Sequence, residues 1–135
     1  MGSFAIATHN HKILMLLRDP DDSWGNHWCW VGGGTEPGET PEETLIREAK
    51  EEANLDLTDF AFLFKWESHS RPGTHHYVYH VPLNDQHLKA MKLGDEGQRL
   101  EFFSLDQAED LPLTPGFKEA IQKHRHLIEE TTEDV

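Results

Sequence analysis

The sequence predicts an α/β fold, a mixed β-sheet covered by helices, and three observations point there. Short apolar runs of strand length recur at residues 4–8, 13–18, 60–66 and 77–83. Two stretches, 40–53 and 114–128, carry apolar residues at helical spacing. The two kinds of element do not alternate regularly, which argues for a mixed sheet rather than a purely parallel one. A chain of 135 residues, 36% hydrophobic, is expected to form one domain over residues 1–135 and to bury a core of its own.

Residues 4–8 and 13–18 read as a hairpin across the turn His9-Asn10-His11-Lys12. The polar stretch 19–30 holds Trp24, Trp28 and Trp30 and reads as a loop. The glycines Gly32, Gly33 and Gly34 and the turn sequence Glu36-Pro37-Gly38-Glu39 follow. A helix opens next. Thr40 is its N-cap, Pro41 its first residue, and Glu43 completes a capping box. It is expected to end at Ala53, with Asn54 as the left-handed cap and Leu45, Ile46, Ala49 and Ala53 as its apolar stripe. Strands are expected at 60–66, 77–83 and 98–103, the last after the tight segment Gly94-Asp95-Glu96-Gly97. Thr114 and Pro115 open a final amphipathic helix with Phe117, Ala120, Ile121, Leu127 and Ile128 on its apolar face, and the tail from Glu129 is expected to fray.

Composition excludes several classes. No apolar run approaches the roughly 18 residues of a membrane span, and the N-terminus lacks the pattern of a secretory leader, so neither membrane nor leader is expected. A formal net charge of −13 repels a long nucleic acid. A small phosphorylated ligand stays open, since a divalent cation inverts the local field. The single cysteine, Cys29, excludes an internal disulfide and suits a reducing cytoplasm. The ten histidines read as surface or structural residues: His75 and His76 face opposite sides of a strand, and His124 and His126 do not share a helix face.

The acidic residues concentrate in one place. Seven glutamates lie from Glu36 to Glu52, opposed by Arg47 and Lys50. Glu48, Glu51 and Glu52 fall at i, i+3 and i+4, on one helix face. Carboxylates so placed repel one another, unless the face is simply solvated or a cation sits among them. A hard divalent ion with oxygen ligands is the cation that suits them, and magnesium is commonly shared between carboxylates and substrate phosphates. The glycines just before the helix let backbone approach a ligand closely, and backbone N–H groups entering a helix can face phosphate.

These residues resemble the Nudix box, G-x5-E-x7-R-E-U-x-E-E-x-G-U with U aliphatic. Gly33, Glu39, Arg47-Glu48, Ala49, Glu51-Glu52 and Leu55 match it in register without a gap, and Asn54 stands where the family has glycine. Outside the box, Trp28 fits a tryptophan that many members carry, while Val31 replaces their proline. The resemblance implies a Nudix fold, an α/β/α sandwich around a central mixed β-sheet, and a Mg2+ or Mn2+ dependent hydrolase cutting a diphosphate bond in a nucleoside diphosphate linked to another group. It implies Glu48, Glu51, Glu52 and the Gly32 carbonyl as metal ligands, and Glu39 paired with Arg47 as a structural brace. Glu51, Glu52 and Glu96 are the catalytic candidates. Glu96 is an extra ligand or the general base, against the plainer reading of an ordinary turn carboxylate.

Substrate choice lies outside the box. Arg18, Arg71, Gly33, Gly34 and Trp30 are the substrate-binding candidates, with tryptophan rings available to stack a base and Trp28 expected in the core. A nucleoside triphosphate, ordinary or oxidised, cut to monophosphate and pyrophosphate is the leading substrate. ADP-ribose or a nucleotide sugar is the alternative, and Pro72 downstream of the box is the family hint for it. Two readings of another kind stand beside the enzyme: a catalytically silent nucleotide-binding module and an acidic interaction domain. The sequence leaves oligomeric state open, a homodimer included.

Overall fold

A computed structural model describes residues 1–68 and 71–133. The strands are β1 (Gly2–His9), β2 (Lys12–Leu17), β3 (Trp28–Cys29), β4 (Val31–Gly34), β5 (Ala61–Glu67), β6 (His75–Pro82) and β7 (Arg99–Phe103). The helices are α1 (Pro41–Ala53), α2 (Asp85–Ala90), α3 (Leu105–Glu109) and α4 (Pro115–Glu133). The sheet runs β3-β2-β1-β6-β5, with β4 paired to β1 and β7 to β2. β1 and β6 are parallel and the other pairs antiparallel, so the sheet is mixed.

The first hairpin turns on Asn10 and His11, both at positive φ, the backbone that a two-residue loop needs to match strand twist. β2 stays paired with β1 only at Thr8 and His9, then diverges. β4 takes its place along Gly2–Ala5, which splits the sheet.

Alternation along the strands sorts the core into two layers. Ala5, Ala7, Leu14, Val31, Tyr79 and Val81 face α1 and pack with Leu45, Ala49, Ala53 and Leu55. Ile6, Ile13, Met15, Trp30, Phe64, Trp66 and Val78 face the other way and pack with Phe117, Ala120, Ile121 and Ile128 of α4 and Leu105 of α3. The result is a three-layer α/β/α arrangement.

Helix α1 starts where its caps dictate. The Thr40 side chain accepts the Glu43 N–H, the Glu43 carboxylate accepts the Thr40 N–H, and Pro41 follows. It ends at Asn54 with φ 54°, whose side chain donates to Ala90 O at 2.8 Å. Its buried positions are Thr44, Leu45, Ala49 and Ala53. Ile46, expected in the stripe, is exposed instead, because it sits about 100° round the helix from Leu45.

Two further expectations are corrected. Residues 28–29 and 31–34 are strands rather than loop and turn: β3 pairs with Leu16 and Leu17, and the glycines pair with β1. The tail from Glu129 stays helical to Glu133, because Ile128 and Thr131 are buried and Thr132 O is hydrogen-bonded to His11 Nδ1. The short helices α2 and α3 have capping boxes on Asn84 and Ser104 that the sequence reading passed over.

Candidate functional site

The split in the sheet, the carboxylate face of α1 and residues 94–97 enclose one acidic cleft. Glu36, Arg47, Glu48, Glu51, Glu52, Asp95 and Glu96 line one end of it. Leu16, Arg18, Asp19, Asp22 and Gly32–Gly34 line the other, and Glu48, Glu52 and Glu96 belong to both.

Glycine explains how the helix comes so near the strand. A Cβ on Gly33 would lie 2.6 Å from the carboxyl carbon of Glu48, and one on Gly32 would lie 2.2 Å from Ser3 O. A side chain at Gly33 would displace the Glu48 carboxylate, and one at Gly32 would run into the backbone of β1. The glycines therefore make room for the glutamates from within the sheet. They lie in β4 and do not cap the helix, whose N-terminus has its own capping box of Thr40 and Glu43.

Arg47 is the electrostatic hub. Its Nε and Nη2 donate to the two Glu39 carboxylate oxygens at 2.7 and 3.0 Å. Its Nη1 donates to Glu48 at 2.8 Å and Glu51 at 3.2 Å, and Nη2 also reaches Gly34 O at 2.9 Å. The Arg47 hydrogen bond, followed by the Glu36 N–H, holds the Glu39 carboxyl down at about 2. Five donors in a fixed planar fork suit this task, which ties the 34–39 turn to the middle of α1.

Glu52 is poorly compensated by the protein. Its Oε1 accepts the Gly32 N–H at 2.7 Å. Burial comes first among the causes that push its carboxyl up to about 8, and the charges of Glu48 and Glu96 push the same way, against Gly32 and Arg18. Burial also raises Glu48, with Arg47 opposing. Among the described residues no three acidic, histidine or cysteine side chains converge into a closed metal cage. The donor set is nonetheless hard oxygen throughout, and the poorly compensated Glu52 beside Glu48 and Glu96 is what a hard divalent cation would neutralise. Magnesium needs only one or two carboxylates when water and phosphate complete its shell. The residues present fit such an ion.

The other sequence candidates separate. Arg18 lines the cleft, but its Nε donates to Ser23 O at 2.8 Å and its Nη2 pairs with Asp22 at 2.9 Å. Trp30 is 1% exposed and packs edge-on to Phe117, so it is unavailable to stack a base. Register decides this, because Val31 faces α1 and its neighbour Trp30 must face α4. Trp28 is also buried, and Trp24 alone of the three candidate rings is exposed. Arg71 is exposed on the β5–β6 connection and does not line the cleft. Cys29 is buried, and burial pushes its thiol up to about 12. His124 stacks on Phe64 with ring centroids 3.9 Å apart.

Sequence reasoning missed Asp19, Asp22, Glu36 and Asp95 as cleft residues. Asp95 had a signal in its neighbour Glu96. Asp19 had one in its neighbour Arg18, and Asp22 had none.

Comparison with known proteins gives the same picture from outside. A family model described as the NUDIX domain matches residues 2–124. The chain is 30% identical over 115 residues to the CTP pyrophosphohydrolase of Escherichia coli K12, covering 82% of this chain and 80% of that protein. It is 30% identical over 124 residues to the 8-oxo-dGTP diphosphatase of the same organism, covering 90% of this chain and 92% of that protein. An ADP-ribose pyrophosphatase of Methanocaldococcus jannaschii is 33% identical over 103 residues, covering 75% of this chain and 59% of that protein. The solution structure of the E. coli ORF135 protein superposes with a TM-score of 0.76 at 24% identity, covering 93% of this chain and 88% of that one.

Proposed function

This chain belongs to the Nudix family, and from that premise we propose that it is a divalent-metal-dependent pyrophosphohydrolase whose substrate is a nucleoside triphosphate, ordinary or oxidised. The observation that carries the proposal is the cleft itself, in which Glu48, Glu51 and Glu52 of α1 lie with Glu96 from a later loop. A phosphate-bearing substrate does not enter so acidic a cleft alone, which is why a cation belongs to the reading.

Glu48 and Glu52, with Glu51 and the Gly32 carbonyl, would hold a Mg2+ or Mn2+ ion. When bound, that ion would neutralise the diphosphate oxygens and acidify a water. The chain's own residues supply the rest. Arg47 holds Glu39 and Glu48 in fixed places, so the carboxylates are set before substrate arrives. Glu96 or Glu52 takes the proton from the attacking water. The water oxygen bonds to one phosphorus as the bridging P–O bond breaks, and the departing phosphate keeps the electron pair. Arg18 meets a phosphate by giving up its pair with Asp22. The products are a nucleoside monophosphate and pyrophosphate.

The triphosphate reading is supported by two relatives at 30% identity, one of which this chain matches over 92% of its length. ADP-ribose is the second reading, supported by the M. jannaschii relative. We also propose that residues 1–135 act as one domain, in a reducing cytoplasm that suits a single buried cysteine. Among the described residues no helix is long and apolar enough to cross a membrane.

The test is release of monophosphate or phosphate across a panel of nucleoside triphosphates, oxidised guanine nucleotides, ADP-ribose, nucleotide sugars and dinucleoside polyphosphates. Each is run with about 5 mM Mg2+, enough to fill a carboxylate site of ordinary affinity, and again with chelator. Chelator-sensitive cleavage of a triphosphate supports the proposal. Cleavage confined to ADP-ribose replaces its substrate, and no cleavage by folded protein overturns the enzyme reading in favour of a binding module.

A further inference from the structure

Glu96 stands in the cleft. It is exposed, and among the described residues it makes no hydrogen bond or ion pair. Its place is therefore set by the backbone on either side, and that backbone is anchored at two ends. At one end the Gly94 N–H donates to Glu52 O at 2.9 Å, one of the last-turn carbonyls of α1. A Cβ at Gly94 would lie 2.0 Å from Glu51 O, so only glycine lets the chain come this near the helix. At the other end Gly97, at φ +93°, donates its N–H to Asp19 Oδ2 at 2.9 Å, across 78 positions of sequence. Gln98 continues the attachment: its N–H donates to Leu17 O at 2.8 Å, and its Nε2 to Arg18 O and Asn26 Oδ1, both at 2.7 Å.

We propose that Asp19 is a positioning residue for Glu96: its carboxylate fixes the Gly97 N–H, and with it the peptide that aims Glu96 into the cleft. The inference rests on the reading of Glu96 as a working carboxylate in the proposed hydrolase. A carboxylate at position 19 is otherwise poorly placed, since it adds negative charge to a cleft already lined by Glu48, Glu52 and Glu96. The charge-assisted hydrogen bond to Gly97 gives it a function there. The same loop carries Arg18, so one clamp links the candidate phosphate contact to the candidate base.

Asp19→Asn separates this role from others. Asparagine keeps an oxygen to accept the Gly97 N–H but loses the charge, whereas Asp19→Ala loses both. We measure kcat and KM on the best substrate of the panel, and hydrogen exchange at the Gly97 amide by NMR without added metal, with each variant verified as folded by circular dichroism. Asp19→Ala should lower kcat about tenfold with KM within about twofold, because a base displaced by a fraction of an ångström loses rate rather than binding. Its Gly97 amide should exchange at least about tenfold faster. Asp19→Asn should restore both to within about threefold of the parent chain. An Asn variant as slow as the Ala variant would assign Asp19 to charge or metal binding and overturn the inference. An Ala variant with unchanged kcat, or with unchanged Gly97 exchange, overturns it as well. If the parent chain cleaves nothing, the proposed function falls and the catalytic role with it, while Gly97 exchange still decides whether Asp19 clamps the loop.

Discussion

Replacing Glu52 by glutamine removes a half-buried group that can ionise and keeps the oxygen that accepts the Gly32 N–H. The folded carboxyl is pushed from 4.5 up to about 8, first by burial and then by Glu48 and Glu96. The sign follows from which state holds the proton. A raised folded pKa means the folded chain prefers the neutral acid, so this contribution to stability is complete below about 4.5, falls as pH rises, and is gone above about 8. The ceiling on the loss is on the order of 5 kcal/mol. Water in the open cleft moderates it, and about 2–4 kcal/mol is expected. Urea denaturation of chelator-treated protein at about pH 5 and about pH 9 reads this out. The parent chain should lose stability across that interval, and Glu52→Gln should be the more stable protein at the alkaline end. Glu48, also raised by burial, adds a slope of the same sign to both proteins, and His76 and His124, lowered by burial, add one of opposite sign at the acid end, so the difference between the two proteins carries the test. Millimolar Mg2+ should stabilise the parent chain and hardly affect the variant, and the variant should lose nearly all hydrolysis. A Glu52→Gln protein no more stable than the parent near pH 9 would refute the account of Glu52 as a half-buried, poorly compensated charge.

Three further outcomes are expected. Arg47→Lys cannot make the two-pronged contact with Glu39 or reach Glu48 and Gly34 O together, so NMR titration should show the Glu39 carboxyl rising from about 2 toward its ordinary value, and the melting temperature should fall by about 3–6 °C; an unmoved Glu39 would refute the hub. Asn54→Ala should cost about 1–2 kcal/mol, from a left-handed backbone and a lost bond to Ala90 O, whereas Asn54→Gly should stay within about 1 kcal/mol of the parent; equal losses in urea denaturation would show that backbone conformation is irrelevant there. Cys29, 4% exposed with its thiol pushed up to about 12, should resist iodoacetamide in the folded protein at mildly alkaline pH and react quickly in urea; rapid labelling of the native chain would contradict its burial.

Some elements are written locally in the chain. The Thr40 and Glu43 capping box, Pro41 and the left-handed Asn54 bound α1 through contacts within a few residues of themselves. The i, i+3 and i+4 spacing of Glu48, Glu51 and Glu52 needs nothing but the helix to share a face. The first hairpin likewise closes on its own two turn residues. Other features have no local signature. Two residues of β3 and four of β4, three of them glycine, carry too little side-chain pattern to declare a strand, and they become strands only because β2 and β1 offer free edges. Trp30 was a candidate because it closes a polar stretch and comes just before the glycines, and its direct neighbours Cys29 and Val31 do not reveal which layer it enters.

The helix that carries the carboxylates, its two ends and its family motif can be read from the chain alone, because caps and 3.6-residue periodicity act between near neighbours. The direction of Trp30, the place of Gly33 inside the sheet beside Glu48, and the meeting of Asp19 with Gly97 cannot be read that way. Each of these depends on which strands pair and in what register. Those choices are made by burying two apolar layers at once over long separations, and no single segment contains them.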